Sequence, residues 1–111
     1  VIQVLLVRNE GHLVRVEAVG HAGWDRPGKD IVCASATSLL RSAVRACSVR
    51  YGSQVLWESP VPGTLRVEFP EVADEWMEGL TSMLVLGLKD LEREFPKSLK
   101  CRENGSEQEK R

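Results

Sequence analysis

A chain of 111 residues can bury one hydrophobic core and build one domain around it. Fifteen basic side chains against sixteen acidic ones leave a net charge of −1, which excludes the strongly basic footprint of a nucleic-acid-binding domain. Three cysteines with no CxxC pair exclude a disulfide framework and a zinc site, and no apolar run is long enough to cross a bilayer, so the expectation is a cytoplasmic protein that uses neither metal nor cofactor.

Residues Val1 to Val7 are apolar and β-branched, Asn9-Glu10-Gly11 is a turn, and Leu13 to Val19 sets Val14, Val16 and Ala18 against Arg15 and Glu17. This pattern predicts a hairpin whose first strand is central in its sheet. From Ile31 to about Tyr51 the period becomes helical, with Val32, Ala36, Leu39, Leu40, Ala43, Val44 and Cys47 on one broad stripe. Arg50 suits the negative end of that helix and Gly52 its stop. A second hairpin pairs Gln54 to Glu58 with Thr64 to Phe69 across Pro60-Val61-Pro62-Gly63, and its alternation leaves one sheet face wet. The last helix runs from Val72 or Ala73 to Phe95 and is ended by Pro96. Its middle, Met83-Leu84-Val85-Leu86-Gly87-Leu88, is apolar all the way round, although a helix lying on a sheet needs only one apolar stripe. The surplus points to a second subunit. Residues 97–111 hold one leucine among many charges and read as a disordered tail, which leaves residues 1–96 as the domain. The order ββαββα predicts an α+β fold, a mainly antiparallel four-stranded sheet with two helices packed on one face.

The chemistry concentrates between the first hairpin and the first helix, in the stretch from Gly20-His21-Ala22-Gly23 to Asp30-Ile31-Val32-Cys33-Ala34. A thiol attacks carbonyls as thiolate, and imidazole is the usual group to take its proton. With Asp30 as N-cap, Cys33 falls in the first helical turn, where free backbone N–H groups and the positive helix end favour a thiolate and can hold an oxyanion. Alone, Cys33 is also a good small core residue, and His21 a strand-end histidine with a satisfied hydrogen bond. On spacing alone those plain readings stand first. Two roles are open to Asp30, helix N-cap or a third member that orients the imidazole. Gly23, Trp24 and Gly28 read as turn residues and as a gate over a bound peptide. His12 reads as a surface residue, Cys47 as core and Cys101 as a solvated tail thiol.

The pair of motifs, Gly20-His21-Ala22-Gly23 and Gly28-Lys29-Asp30-Ile31-Val32-Cys33-Ala34, strongly resembles the signature of the ribosomal-processing cysteine proteases of bacteria, the Prp family. The element order over residues 1 to 95 matches as well. The resemblance implies His21 as general base, Cys33 as nucleophile and Asp30 as the recurrent acidic position. It also implies a homodimer with a mobile loop over the site. The implied task is removal of a short N-terminal extension from a large-subunit ribosomal protein, number twenty-seven of that series, by a cut after an aromatic residue. After Cys33 the chain reads Ala34-Ser35-Ala36-Thr37 where small residues and then Ser are more usual in the family, so Thr37 keeps a hydroxyl there.

The sequence therefore reads as a bacterial cytoplasmic cysteine endopeptidase with a ribosomal protein precursor as partner, no membrane and no direct contact with nucleic acid. The alternative is a non-enzymatic ribosome-assembly or RNA-binding module using Arg41, Arg45 and Arg50, against which the near-neutral charge speaks. A redox sensor at Cys33 is disfavoured by the lack of a resolving cysteine nearby in sequence.

Overall fold

Alternation along the first strand sets the layout: Ile2, Val4 and Leu6 point into a core while Gln3 and Leu5 point away from it. The computed structural model describes residues 1–20, 31–52, 56–58, 63–72 and 74–105, with 56–58 and Gly105 described by backbone alone. The catalytic candidates His21 and Asp30 and the gate positions Gly23, Trp24 and Gly28 lie outside the described residues. The elements are β1 (Ile2–Asn9), β2 (His12–Val19), α1 (Ile31–Tyr51), β3 (Leu56–Glu58), β4 (Thr64–Glu68), α2 (Glu75–Glu94) and β5 (Leu99–Gly105).

The strands form one sheet in the order β3-β4-β2-β1-β5, antiparallel throughout except for β5, which runs parallel to β1. The α+β reading holds, and β1 is interior to the sheet as its apolar sequence requires. Each helix is a crossover between parallel strands, α1 from β2 to β3 and α2 from β4 to β5. The strands β2 and β4 run in opposite directions and their crossovers leave towards opposite edges. The right-handed rule therefore sends both helices to the same face. There Leu40, Ala43 and Cys47 of α1 meet Met77, Leu84 and Leu88 of α2 in one core with β1. The helices come close at Gly87, where an added Cβ would stand 3.1 Å from a Leu39 methyl. Beyond α1, the Tyr51 hydroxyl donates to both carboxylate oxygens of Asp74, at 3.1 and 3.0 Å. Asp74 in turn caps α2 by accepting from the Met77 N–H at 2.8 Å, so α2 starts at Glu75 rather than at Val72 or Ala73. The cap bond first, and then the Tyr51 hydroxyl, hold the Asp74 carboxyl below the usual carboxylate range.

Three expectations are corrected. The sheet has five strands, not four, because residues 99–105 of the predicted disordered tail form β5, and the domain runs past residue 96 at least to residue 105. Sequence pattern misses this strand because it is an edge, where charges are the normal guard against further pairing. One fully buried leucine, Leu99, anchors it, and Glu103 ties it down through Arg8 at 2.7 Å and Lys89 at 2.6 Å. In β2 the inward residue near the turn is Leu13 instead of Val14. The register shifts between Val7 and Arg8, and a bulge of this kind turns the alternation by one residue. In α2, Val85 is buried in the chain's own core, which leaves Met83 and Leu86 as the apolar side chains of that segment standing in solvent.

Candidate active site

Gly20 follows β2 with φ +102, a conformation that side chains resist, and its N–H donates to the Gly63 carbonyl at 2.7 Å. A Cβ there would sit 2.6 Å from the Val1 carbonyl oxygen. Only glycine fits between the start of β1 and the turn before β4, and this is the residue that hands the chain on to His21. Across from it, Cys33 is the third residue of α1, half-buried and in no disulfide. The backbone N–H groups of a first helical turn have no acceptor within the helix, so the thiol stands beside groups of the kind that can hold an oxyanion.

Between these two positions lies a cleft of about 410 Å³. One wall is the α1 face bearing Cys33, Ala36, Thr37, Leu40 and Arg41, which is the i, i+3, i+4, i+7, i+8 face of a helix read from Cys33. The other wall is sheet, with Ile2 and Ala18 beside Gly20, and Gly63, Thr64 and Leu65 from the second hairpin. The walls are mostly apolar or small. Among the described residues that line it, Arg41 is the only charged one.

Of the site residues predicted from sequence, Cys33 opens into this cleft, while His21, Asp30, Gly23, Trp24 and Gly28 lie outside the described residues; Gly20 of the motif borders the cleft. Thr37 and Arg41 belong to the wall. The signal for them was the helical spacing from Cys33, which the motif alone does not carry. The other two thiols differ. Cys47 is fully buried and its thiol is pushed up to about 11 by desolvation. Cys101 is not a solvated tail thiol: it sits on β5, its N–H donates to Glu92 at 3.2 Å and its Sγ lies 3.7 Å from the Leu88 carbonyl. Burial, and next the Glu92 carboxylate, push it to about 11 as well. His12, read as a plain surface residue, pairs through Nδ1 with Glu78 at 2.5 Å and ties the first hairpin turn to α2. Among the described residues no His, Cys, Asp and Glu cluster fit to hold a metal ion occurs, and no helix is long and apolar enough to cross a membrane.

Comparison with known proteins matches the same span. The family model described as "Cysteine protease Prp" matches residues 1–100. The ribosomal processing cysteine protease Prp of Bacillus subtilis (strain 168) is 30% identical over 97 residues, covering 83% of this chain and 87% of that protein. The fold is similar to the crystal structure of SMU.848 from Streptococcus mutans, with TM-score 0.81 and 27% identity over 95% of each chain. It is similar in fold also to the S. aureus ribosomal processing protease Prp in complex with a covalently linked product peptide, with TM-score 0.80 and 21% identity over 94% of this chain and all of that one. A sequence match over nine-tenths of the chain, on the fold that the comparison structures share, decides the matter: the chain belongs to the Prp family of cysteine proteases.

Proposed function

We propose that this protease uses Cys33 as nucleophile and His21 as general base to remove the N-terminal extension of a large-subunit ribosomal protein, number twenty-seven of its series, by a cut after an aromatic residue. The observation that carries the reading is the cleft itself: Cys33 opens into it from the first turn of α1, and the residue before His21 forms its opposite border. His21 takes the Cys33 proton and the thiolate attacks the scissile carbonyl carbon. Backbone N–H groups of the first turn of α1 hold the resulting oxyanion. The amine leaves with the proton from His21, and the N-terminal fragment stays on sulfur as a thioester. Water then gives a proton to His21 and its oxygen to the carbonyl, the C–S bond breaks, and the thiol recovers its proton. The mostly apolar walls formed by Ile2, Leu40 and Leu65 suit aromatic and aliphatic side chains flanking the bond. The ribosomal substrate is supported by the named activity of the Bacillus subtilis relative.

Asp30, directly before α1, is open to both its roles in this scheme. Asn caps a helix as well as Asp does but carries no charge, so Asp30→Asn separates them. Retained cleavage marks a cap, and a loss of cleavage with an unchanged melting temperature marks an orienting carboxylate. The loop through Gly23, Trp24 and Gly28 is proposed to gate the cleft, and the chain to pair as a homodimer through the exposed Met83 and Leu86 of α2, which Leu86→Glu in sedimentation tests. The RNA-binding alternative loses part of its basis, since the Arg50 guanidinium is stacked 5.0 Å over Trp76.

The test of the whole reading is direct. The host's own ribosomal protein precursor is incubated with wild-type protein and with Cys33→Ala, and the products are weighed by mass spectrometry. Trimming by wild type alone supports the reading, and trimming by the alanine variant overturns it.

A further inference from the structure

One charge in the cleft has no use in the chemistry. Arg41 lies two helical turns beyond Cys33 on the same face of α1, at the edge of the cleft and exposed to solvent. Among the described residues it makes no hydrogen bond or ion pair, and α1 contains no acidic residue to neutralise it. Among the described residues that line the cleft none is acidic, and the hydroxyls of Thr37 and Thr64 are the neutral oxygens its side chains offer. An arginine bordering a groove of apolar and small residues presents a planar fork of donors suited to a carboxylate.

We infer that Arg41 is a specificity-determining residue that selects substrates with an acidic side chain at a fixed distance from the scissile bond. Eight residues of α-helix separate it from Cys33, a rise of about 12 Å. An extended peptide advances about 3.4 Å per residue, so the selected side chain stands three or four residues from the bond that Cys33 attacks. The inference rests on the proposed reading of Cys33 as nucleophile in this cleft. It adds what that reading lacks, a charge requirement on top of the aromatic one.

The experiment uses the full chain and a set of peptides based on the precursor's cleavage region. Each position from the second to the fifth on either side of the bond is replaced in turn by Asp or by Lys. For every position the ratio of kcat/KM for the Asp peptide over the Lys peptide is measured, so that differences in absolute activity between variants cancel. Wild type is expected to prefer Asp at one position by on the order of tenfold, mainly through KM, as an exposed pair gained and a like-charge contact avoided would give. Arg41→Lys keeps the preference in weakened form, Arg41→Gln brings the ratio near one, and Arg41→Glu inverts it. A wild-type ratio near one at every position overturns the inference while leaving the proposed function intact. A preference that survives unchanged in Arg41→Gln also overturns it, by assigning the selection to another residue. If wild type cuts none of the peptides, the inference falls together with the reading of the cleft.

Discussion

Two half-buried cysteines pack against the same core of this small domain, and their surroundings have little in common. At the junction of β2 and α1, Cys33 faces a cleft whose walls are mostly apolar and whose one charged lining residue among those described, Arg41, makes no ion pair with another described residue. At the junction of α2 and β5, the Phe95 carbonyl accepts from Ser98 and Leu99, Glu92 accepts from Cys101, and Glu103 bridges Arg8 and Lys89. Fractional exposure puts both thiols in the same class. What separates them is the space beside them: Cys33 borders a cleft of about 410 Å³, whereas Cys101 is held within the β5 ladder and against Leu88 and Glu92. A structural corner fills its space with its own side chains and ion pairs, whereas a site keeps a concave surface open to a ligand.

The sharpest way to break this contrast is to remove each thiol. Cys33→Ala is expected to lower precursor cleavage by several orders of magnitude, as loss of a nucleophile does, while Cys101→Ala leaves the rate within about twofold. A large loss from Cys101→Ala, measured by the same cleavage assay on folded protein, would show that the β5 corner takes part in catalysis and dissolve the distinction.

Chemical labelling sharpens it next. The thiols of Cys101 and Cys47, both pushed to about 11, are almost wholly protonated near neutral pH and so react slowly. Iodoacetamide followed by peptide mapping should label Cys33 at least about tenfold faster than either. Between neutral pH and about 11 the intrinsic reactivity of Cys101 should climb steadily as its thiolate fills in. Equal labelling of Cys33 and Cys101 at neutral pH would undo the assignment of one as reactive and the other as structural.

The backbone that frames the cleft can be tested through Gly20→Ala. The positive φ and the 2.6 Å approach to the Val1 carbonyl oxygen predict a loss of about 2 kcal/mol in urea unfolding, together with weaker cleavage as the cleft border shifts. Gly11→Ala, also at positive φ but with open space around it, is expected to cost less, about 1 kcal/mol, and to leave cleavage alone. Equal costs at the two positions would mean that the contact with Val1 is relieved without consequence.

The smallest effect belongs to the ion pairs at β5. Lys89 and then Arg8 hold the Glu103 carboxyl below the usual carboxylate range, so this contribution to stability is present above the unfolded-state value and is lost as pH falls through the folded one. Because these groups are well exposed, Glu103→Gln should cost no more than about 1 kcal/mol at neutral pH, and the difference from wild type should shrink in acid and in high salt. Melting curves at two pH values and two salt concentrations check this. A cost that salt leaves unchanged would assign the role of Glu103 to packing instead of charge.

Sequence alone carried both helices, four of the strands, the central place of β1 and the family, because each is written in a local period or a contiguous motif. The spacing that sets Cys33, Thr37 and Arg41 on one helix face is of the same kind and was legible once the helix was recognised. Tertiary structure decided everything that depends on a partner far along the chain. Residues 99–105 become a strand only because β1, almost a hundred residues earlier, offers an open edge for a parallel ladder, and a charged segment has no period that announces this. Cys101 changes from a tail thiol to a packed one for the same reason. Leu13 displaces Val14 from the core because a bulge against β1 resets the alternation, and the need for glycine at position 20 comes from the Val1 carbonyl lying where a side chain would go. Such contacts join residues distant in sequence, and their energies are assigned by the packed sheet as a whole, which no local pattern of side chains can report.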